Sequence, residues 1–315
     1  MEVIKPGILD SFQDSGRYGY AHLGVSVGGC MDKLAGRLAN LLVGNTETEA
    51  VLEMHFPAPL LYFNEEIEFA LTGADFCAKV GGRVVPQNRR IILPAGSTLS
   101  FENKIWGQRC YLGIAGGWAL TKELGSYSTH LKAGFGGWQG RRLKKGDSIP
   151  LRQHSNYHAQ APIISRWFIY PDLFYKPGPV RVIAGIEWHW LTKNAKKDLQ
   201  NHPFAISRQS DRMGYHLSGK LLEKTVNTEL LSSGVLAGTV QLLPNGNPLL
   251  LMADCQTTGG YPRILQVADV DLPKLAQMGA GESFTFSLIS TEESMGLLQT
   301  FHKQIVSLSG AIPIK

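Results

Sequence analysis

The chain has 315 residues, 43% hydrophobic and 18% charged, a balance that excludes extended disorder at a length that allows two domains or one duplicated domain. Its net charge of +5 comes from 31 basic and 26 acidic residues, too small and scattered an excess to point to nucleic acid. The four cysteines, Cys30, Cys77, Cys110 and Cys255, show no C-x-x-C or other metal-ligand spacing, so neither a disulfide framework nor a metal site is expected, and a reducing, cytoplasmic compartment is.

The opening MEVIKPGILD has neither the basic nor the apolar region of a signal peptide, and no run of about 18 apolar residues occurs, so neither standard secretion nor a membrane span is expected. In residues 31–43, Met31, Leu34, Ala35, Leu38, Leu41 and Leu42 recur at three- and four-residue steps before Gly44-Asn45, which predicts a helix. Strands are predicted over residues 68–73, 97–101 and 110–115. Residues 76–85 alternate around Gly81-Gly82 and predict a hairpin with a two-residue turn. Arg141, Arg142, Lys144 and Lys145, beside Gly146-Asp147, form either a solvated turn or a basic patch.

Polar residues including His154 and His158 then give way to Pro162, Pro171, Pro177 and Pro179, which predicts a linker over 156–178 between an N-terminal part, 1–155, and a C-terminal part, 179–315. Further strands are predicted over 180–183, 248–252 and 283–286. A C-terminal helix should open at Ser290 with Glu293 as its capping-box partner and carry Met295, Leu298, Phe301 and Ile305 on one side, covering β structure. The class that follows is mainly β with a few helices. The 35 dispersed glycines suit short strands joined by tight turns. Residues 15–20 echo 210–215, 71–75 echo 250–254, and 96–101 echo 281–286, in the same order, which predicts two related β domains.

No G-x-x-x-x-G-K-[ST] or H-E-x-x-H occurs, nor a biotin-attachment sequence, so any ATP or biotin must be bound by another chain. Four polar, Gly-rich stretches remain. In residues 13–20, Gln13 and Asp14 precede Arg17; Asp14 can act as or orient a base and Arg17 can take a carboxylate or carbonyl in a fork, or the two can fix a turn. Ser126, Ser128 and Thr129 precede the glycine run 134–140, which either presents N–H groups to an anion or serves tight turns. Gln209, Ser210, Asp211 and Arg212 form the third stretch. The fourth, 254–261, contains Gln256, Thr257, Thr258 and Tyr261 and should emerge at the end of the apolar strand 248–252. His154 and His158 are four apart but fall in the expected linker, and His189 lies between two tryptophans, so no metal site is expected from them; Cys255 has no evident paired His.

At these stretches the sequence resembles the biotin-dependent-carboxyltransferase-like family. That family includes allophanate hydrolase subunit 2, the C component of 5-oxoprolinase, an antagonist of a sporulation-kinase inhibitor, and half of the urea carboxylase carboxyltransferase domain. The matching motifs are residues 13–17, 22–25, 31–32, 37–45, 71–75, 115–117, 125–126 with 128–129, 209–215 and 256–263. The resemblance implies two cyclophilin-like β-barrel subdomains, a partner of the allophanate hydrolase subunit 1 type (like the B component of 5-oxoprolinase), and a further partner like its A component. It implies ATP-dependent opening of 5-oxo-L-proline to L-glutamate by the assembled complex, with no covalently bound cofactor on this chain. The alternatives are the carboxyltransferase component of a biotin-dependent urea or amide carboxylase, and a non-catalytic partner that sequesters a kinase inhibitor. The chain departs from the family pattern at residues 28–30, at Tyr127 and His130, and at Cys255, all close to the motifs.

On this reading Arg17 or Arg212 holds a carboxylate or phosphate, Asp14 or Asp211 manages protons, and Thr257, Thr258 and nearby N–H groups steady an oxyanion. Gln13, Ser126, Ser128, Thr129, Gln209, Ser210, Gln256 and Tyr261 contact substrate. Alanine at Arg17 or Asp211 is expected to abolish turnover while hardly moving the melting temperature.

Overall fold

A computed structural model describes residues 1–153 and 157–312. The chain divides into two compact units: Met1–Arg17 with Gly28–Tyr175 and Leu308–Lys315, and Tyr18–Val27 with Lys176–Ser307. The division is not the one expected. Residues 157–175, expected in a linker, belong to the first unit, because Ile163–Ile164 adds an edge strand to Arg90–Leu93 and Arg89 stacks on Phe168 at 4.6 Å. The short segment Tyr18–Val27, expected in the N-terminal part, belongs to the second. His154 lies outside the described residues.

The first unit holds two antiparallel sheets. One orders Glu2–Lys5, Leu60–Phe63, Ser97–Phe101, Ala78–Val80 and Arg83–Val84; the other orders Ile163–Ile164, Arg90–Leu93, Ile67–Asp75, Trp106–Ile114, Val51–His55 and Ser11–Gln13. The hairpin turn is Gly81-Gly82, whose φ values of 54° and 80° fit the paired left-handed residues of a type I′ turn. Alternating side chains from the strands form a continuous core, where Phe12 meets Trp118 edge-on at 5.0 Å and each large buried apolar side chain contributes about 1.5–3 kcal/mol.

Helix α1, Lys33–Leu42, lies on the Ile67–Asp75 and Trp106–Ile114 strands. Asp32 caps it by accepting from Ala35 N at 2.9 Å, and the other carboxylate oxygen accepts from Tyr175 O–H at 2.6 Å. The approach of helix to strand is close enough that a Cβ at Gly113 would stand 3.0 Å from the Ala39 backbone.

The second unit is built on one eight-stranded sheet, ordered Ser283–Phe284, Phe204–Ile206, Gly214–Ser218, Pro248–Leu251, Thr239–Leu242, Arg263–Val267, Val180–Ala184 and Phe286–Leu288. Its two edge strands are separated in the chain only by Thr285, so the sheet must curl until its edges nearly meet, which makes it a nearly closed barrel. The stretch 283–286, expected as one strand, is therefore split between the two edges. Helices α2, Lys193–Asn201, and α3, Leu272–Ala276, accompany the sheet.

Helix α4, Thr291–Ala311, opens with the expected capping box: Ser290 Oγ accepts from Glu293 N at 3.1 Å and the Glu293 carboxylate accepts from Ser290 N at 2.8 Å. Its apolar side differs from expectation. Of Met295, Leu298, Phe301 and Ile305 only Ile305 is buried, and Met295 is 58% exposed. Among the described residues no helix is long and apolar enough to cross a membrane.

Candidate functional site

In the first unit the strand Ser11–Gln13 delivers the stretch 13–17 to the loop 123–137. Asp14 is buried and its carboxylate accepts four hydrogen bonds, from Gly16 N at 2.8 Å, Ser126 Oγ at 2.7 Å, Tyr127 N at 2.6 Å and Ser128 Oγ at 2.6 Å. Arg17 is 1% exposed; it donates to the carbonyls of Glu123 at 3.0 Å and Ser128 at 2.8 Å and stacks on Phe135 at 4.6 Å. Gln13 donates to Ser11 Oγ at 3.0 Å and Thr129 O at 3.3 Å, and the Thr129 hydroxyl donates to Phe12 O at 3.0 Å. Gln13, Asp14, Arg17, Ser126, Ser128 and Thr129 are thus one buried network in which Asp14 and Arg17 each grip the loop rather than each other.

The glycine run is closed on itself. The N–H groups of Gly134, Gly136, Gly137 and Gly140 donate to His130 O, the Glu123 carboxylate, Tyr127 O and Gly136 O, so they are not turned toward an anion. Gly136 and Gly137 are required because both have φ above zero and any Cβ would collide with Ser128 O or Thr129 Oγ1. These four glycines serve tight turns. The basic cluster resolves the same way: Arg141 forks onto the Asp147 carboxylate at 2.7 and 2.8 Å, and Asp147 also accepts from Lys144 N. The Arg141 hydrogen bond holds the Asp147 carboxyl below its usual range, against the opposing effect of burial.

In the second unit Asp211, exposed, accepts from Met213 N at 2.7 Å and Gly214 N at 3.3 Å, and the Ser210 hydroxyl accepts from His216 N at 3.0 Å. Gln209 is exposed beside them. Arg212 is buried and forks onto Asp254 through Nε at 2.7 Å and Nη2 at 2.9 Å, while Asp254 N donates back to Arg212 O at 2.9 Å. This pair fixes the start of the loop 254–261, just past the end of the Pro248–Leu251 strand.

A second ion pair fixes the other end. Arg263 donates through Nε and its backbone N to Glu187 Oε2 at 3.0 and 2.9 Å and through Nη2 to Oε1 at 2.8 Å. Burial pushes the Glu187 carboxyl up, but the hydrogen bonds and charge of Arg263 outweigh it and hold the carboxyl below its usual range. Between the clamps, Thr258–Gly259 pairs with Ser233–Gly234, and the buried Gln241 lies beneath Gly259 and donates to Tyr261 O at 3.4 Å. Thr258 and Tyr261 are left exposed, with Gln256 and Thr257 half-buried.

Sequence reasoning missed Glu187, Gln241 and Glu123. The first two are distant in sequence from the loop they support, and Glu123 sits in a stretch with no periodic signal. Among the described residues no group of three or more His, Cys, Asp or Glu side chains is placed to hold a metal ion. Cys255 is buried, and its neighbour Asp254 is committed to Arg212.

Residues 23–288 match the family model described as carboxyltransferase domain, subdomain A and B. The chain is 37% identical over 297 residues to the C component of 5-oxoprolinase from Escherichia coli strain K12, covering 94% of this chain and 93% of that one. It is 29% identical to the urea amidolyase of Saccharomyces cerevisiae, covering 98% of this chain and 18% of the relative. The crystal structure of the Kluyveromyces lactis urea carboxylase matches with a TM-score of 0.88 at 27% identity, over 96% of this chain and 28% of that chain. The chain therefore spans nearly all of the bacterial relative and under a third of the fungal enzymes.

Proposed function

Because the chain belongs to the carboxyltransferase domain family, subdomains A and B, we propose that it is one component of an ATP-dependent 5-oxoprolinase that opens 5-oxo-L-proline to L-glutamate. The observation that carries this reading is the 37% identity to the C component of a bacterial 5-oxoprolinase over nearly the full length of both chains. The partners are a chain of the allophanate hydrolase subunit 1 type, like the B component of 5-oxoprolinase, and a chain like its A component. The complex acts in the cytoplasm, where ATP is available. The ATP site belongs to a partner, since this sequence contains no P-loop.

The reaction cleaves an unstrained lactam. ATP transfers a phosphoryl group to the amide oxygen and leaves as ADP; water then adds to the same carbon, the C–N bond breaks and the nitrogen takes a proton, leaving an acyl phosphate that a second water hydrolyses to glutamate and phosphate. The clamped loop 254–261 suits the oxyanion that forms when water adds, because donors held in place before reaction need no reorganisation during it. In this reading Thr257, Thr258 and Tyr261 donate toward substrate, with Gln256, Gln209 and Ser210 beside them. Asp211 moves the proton. Arg212, through Asp254, positions the loop. In the first unit Asp14, Arg17, Gln13, Ser126, Ser128 and Thr129 position the 123–137 loop, since their polar atoms already serve one another.

The likeness to urea carboxylase favours a second reading, carboxyl transfer from biotin carried on another chain to urea or a related amide. Reconstitution separates the two. The chain purified alone is expected to be inactive, and addition of the two partner chains should yield glutamate from 5-oxoproline only with ATP. Glutamate formed without ATP, or robust turnover by the isolated chain, overturns the first reading. Urea-dependent carboxyl transfer with a biotinylated partner, and no glutamate, establishes the second.

A further inference from the structure

The second unit contains a cavity of about 420 Å³, near the small end of the range of roughly 300–1,000 Å³ typical of small-molecule sites. Pro177, Pro203, Met278 and Phe284 give it apolar walls, and Lys274 and Ser283 supply polar groups. Lys274 Nζ donates to the carbonyls of Gly178 at 3.0 Å and Pro179 at 2.9 Å, which uses two of the three donors of an ammonium.

No carboxylate neutralises that ammonium among the described residues. Asp271, the acid whose charge acts on Lys274, is engaged by Arg181, which donates through Nε at 2.9 Å, Nη2 at 2.6 Å and its backbone N at 2.7 Å. Burial pulls the Lys274 ammonium below its ordinary pKa, with Asp271 opposing and Arg181 adding to the effect. A half-buried cation with a donor to spare and no counter-ion is costly unless an anion completes it.

We propose that this cavity binds a compact monocarboxylate, its carboxylate on Lys274 and its apolar body against Pro177, Pro203, Met278 and Phe284. One cation with one remaining donor matches a single negative charge, and the volume readily admits a ring of five or six atoms. The site shares no residue with the clamped loop and does not depend on the reaction proposed above.

Calorimetric titration of the purified chain with cyclopentanecarboxylate, and with the neutral isostere cyclopentanecarboxamide, tests it. The carboxylate should bind saturably at millimolar concentration and the amide should not. Lys274→Met should weaken carboxylate binding by about tenfold or more, as loss of a charge-assisted contact does. Ser283→Trp, at an exposed residue whose replacement spares the core, should do the same by filling the cavity while leaving Lys274 in place. Absence of binding to the unaltered chain, equal binding of the amide, or unchanged affinity in Ser283→Trp overturns the proposal. Melting curves establish that each variant is folded, and should Lys274→Met fail to fold, Ser283→Trp decides.

Discussion

Ser128 Oγ donates to Asp14 Oδ1 at 2.6 Å and accepts from the Asp14 backbone N–H at 3.0 Å, tying together two loops 114 residues apart. Because Asp14 also takes the Ser126 hydroxyl and the N–H groups of Gly16 and Tyr127, Asp14→Ala strands several buried donors at once. Each unsatisfied buried group costs about 1–3 kcal/mol, and with partial relaxation the expected loss is about 3 kcal/mol in urea unfolding. Arg17→Ala should cost about 2 kcal/mol for the same reason, which revises the expectation that this variant would leave the melting temperature nearly unchanged. A loss under about 0.5 kcal/mol in both would mean that the network does not hold the loop.

What was legible in the sequence was whatever local chemistry specifies. The α1 pattern, the Gly81-Gly82 turn and the Ser290/Glu293 box each lie within a few residues and appear where expected. The stretches richest in polar residues also come together as clusters. What they do there was not legible, because the partners of Asp14, Arg17 and Arg212 lie roughly 40 to 115 residues away. Composition misled at 156–178: proline and polar residues suggested a linker, but two residues, Ile163–Ile164, suffice for strand pairing and are too few to show a period. Arg17 and Arg212 occupy matching positions in the sequence echo yet have different partners, a backbone carbonyl pair in one case and a carboxylate in the other.

The Arg212–Asp254 pair should behave as a buried unit. Arg212→Met leaves the Asp254 carboxylate without its partner and is expected to cost about 3 kcal/mol, whereas Arg212→Met with Asp254→Leu should recover much of that loss. A double-mutant cycle should give a coupling of about 1.5 kcal/mol or more. Strictly additive single effects would show that the loop is anchored elsewhere.

Asp10 gives a pH dependence whose sign is fixed. Burial raises its carboxyl from 3.8 to about 7, partly offset by the Gly7 N–H and by Arg142. The folded chain therefore holds this proton more tightly than the unfolded chain. The associated stability is complete below about pH 4 and is lost as pH rises through about 7, by an amount on the order of 3–4 kcal/mol. Asp10→Asn should keep the acceptor for Gly7 and remove this loss, so the variant should gain on the parent between about pH 5 and about pH 8. Unfolding curves that stay parallel across that range would show that Asp10 ionises normally in the fold.

The exposed face of the clamped loop should separate activity from stability. Thr258 and Tyr261 lie exposed between two ion pairs that fix the loop without them. Thr258→Ala and Tyr261→Phe should therefore leave unfolding within about 0.5 kcal/mol of the parent, as surface changes do. In the reconstituted 5-oxoprolinase complex each should lower kcat by about tenfold or more, the effect of removing one preorganised donor from a developing oxyanion, with KM changing less. Asp211→Ala should lower kcat too and flatten the alkaline-rising limb of the pH–rate profile if it is the base. Asp211 also accepts two backbone N–H groups, so its variant needs the unfolding measurement alongside. Full activity in Thr258→Ala and Tyr261→Phe together would remove the loop from the reaction and leave it a structural edge of the barrel.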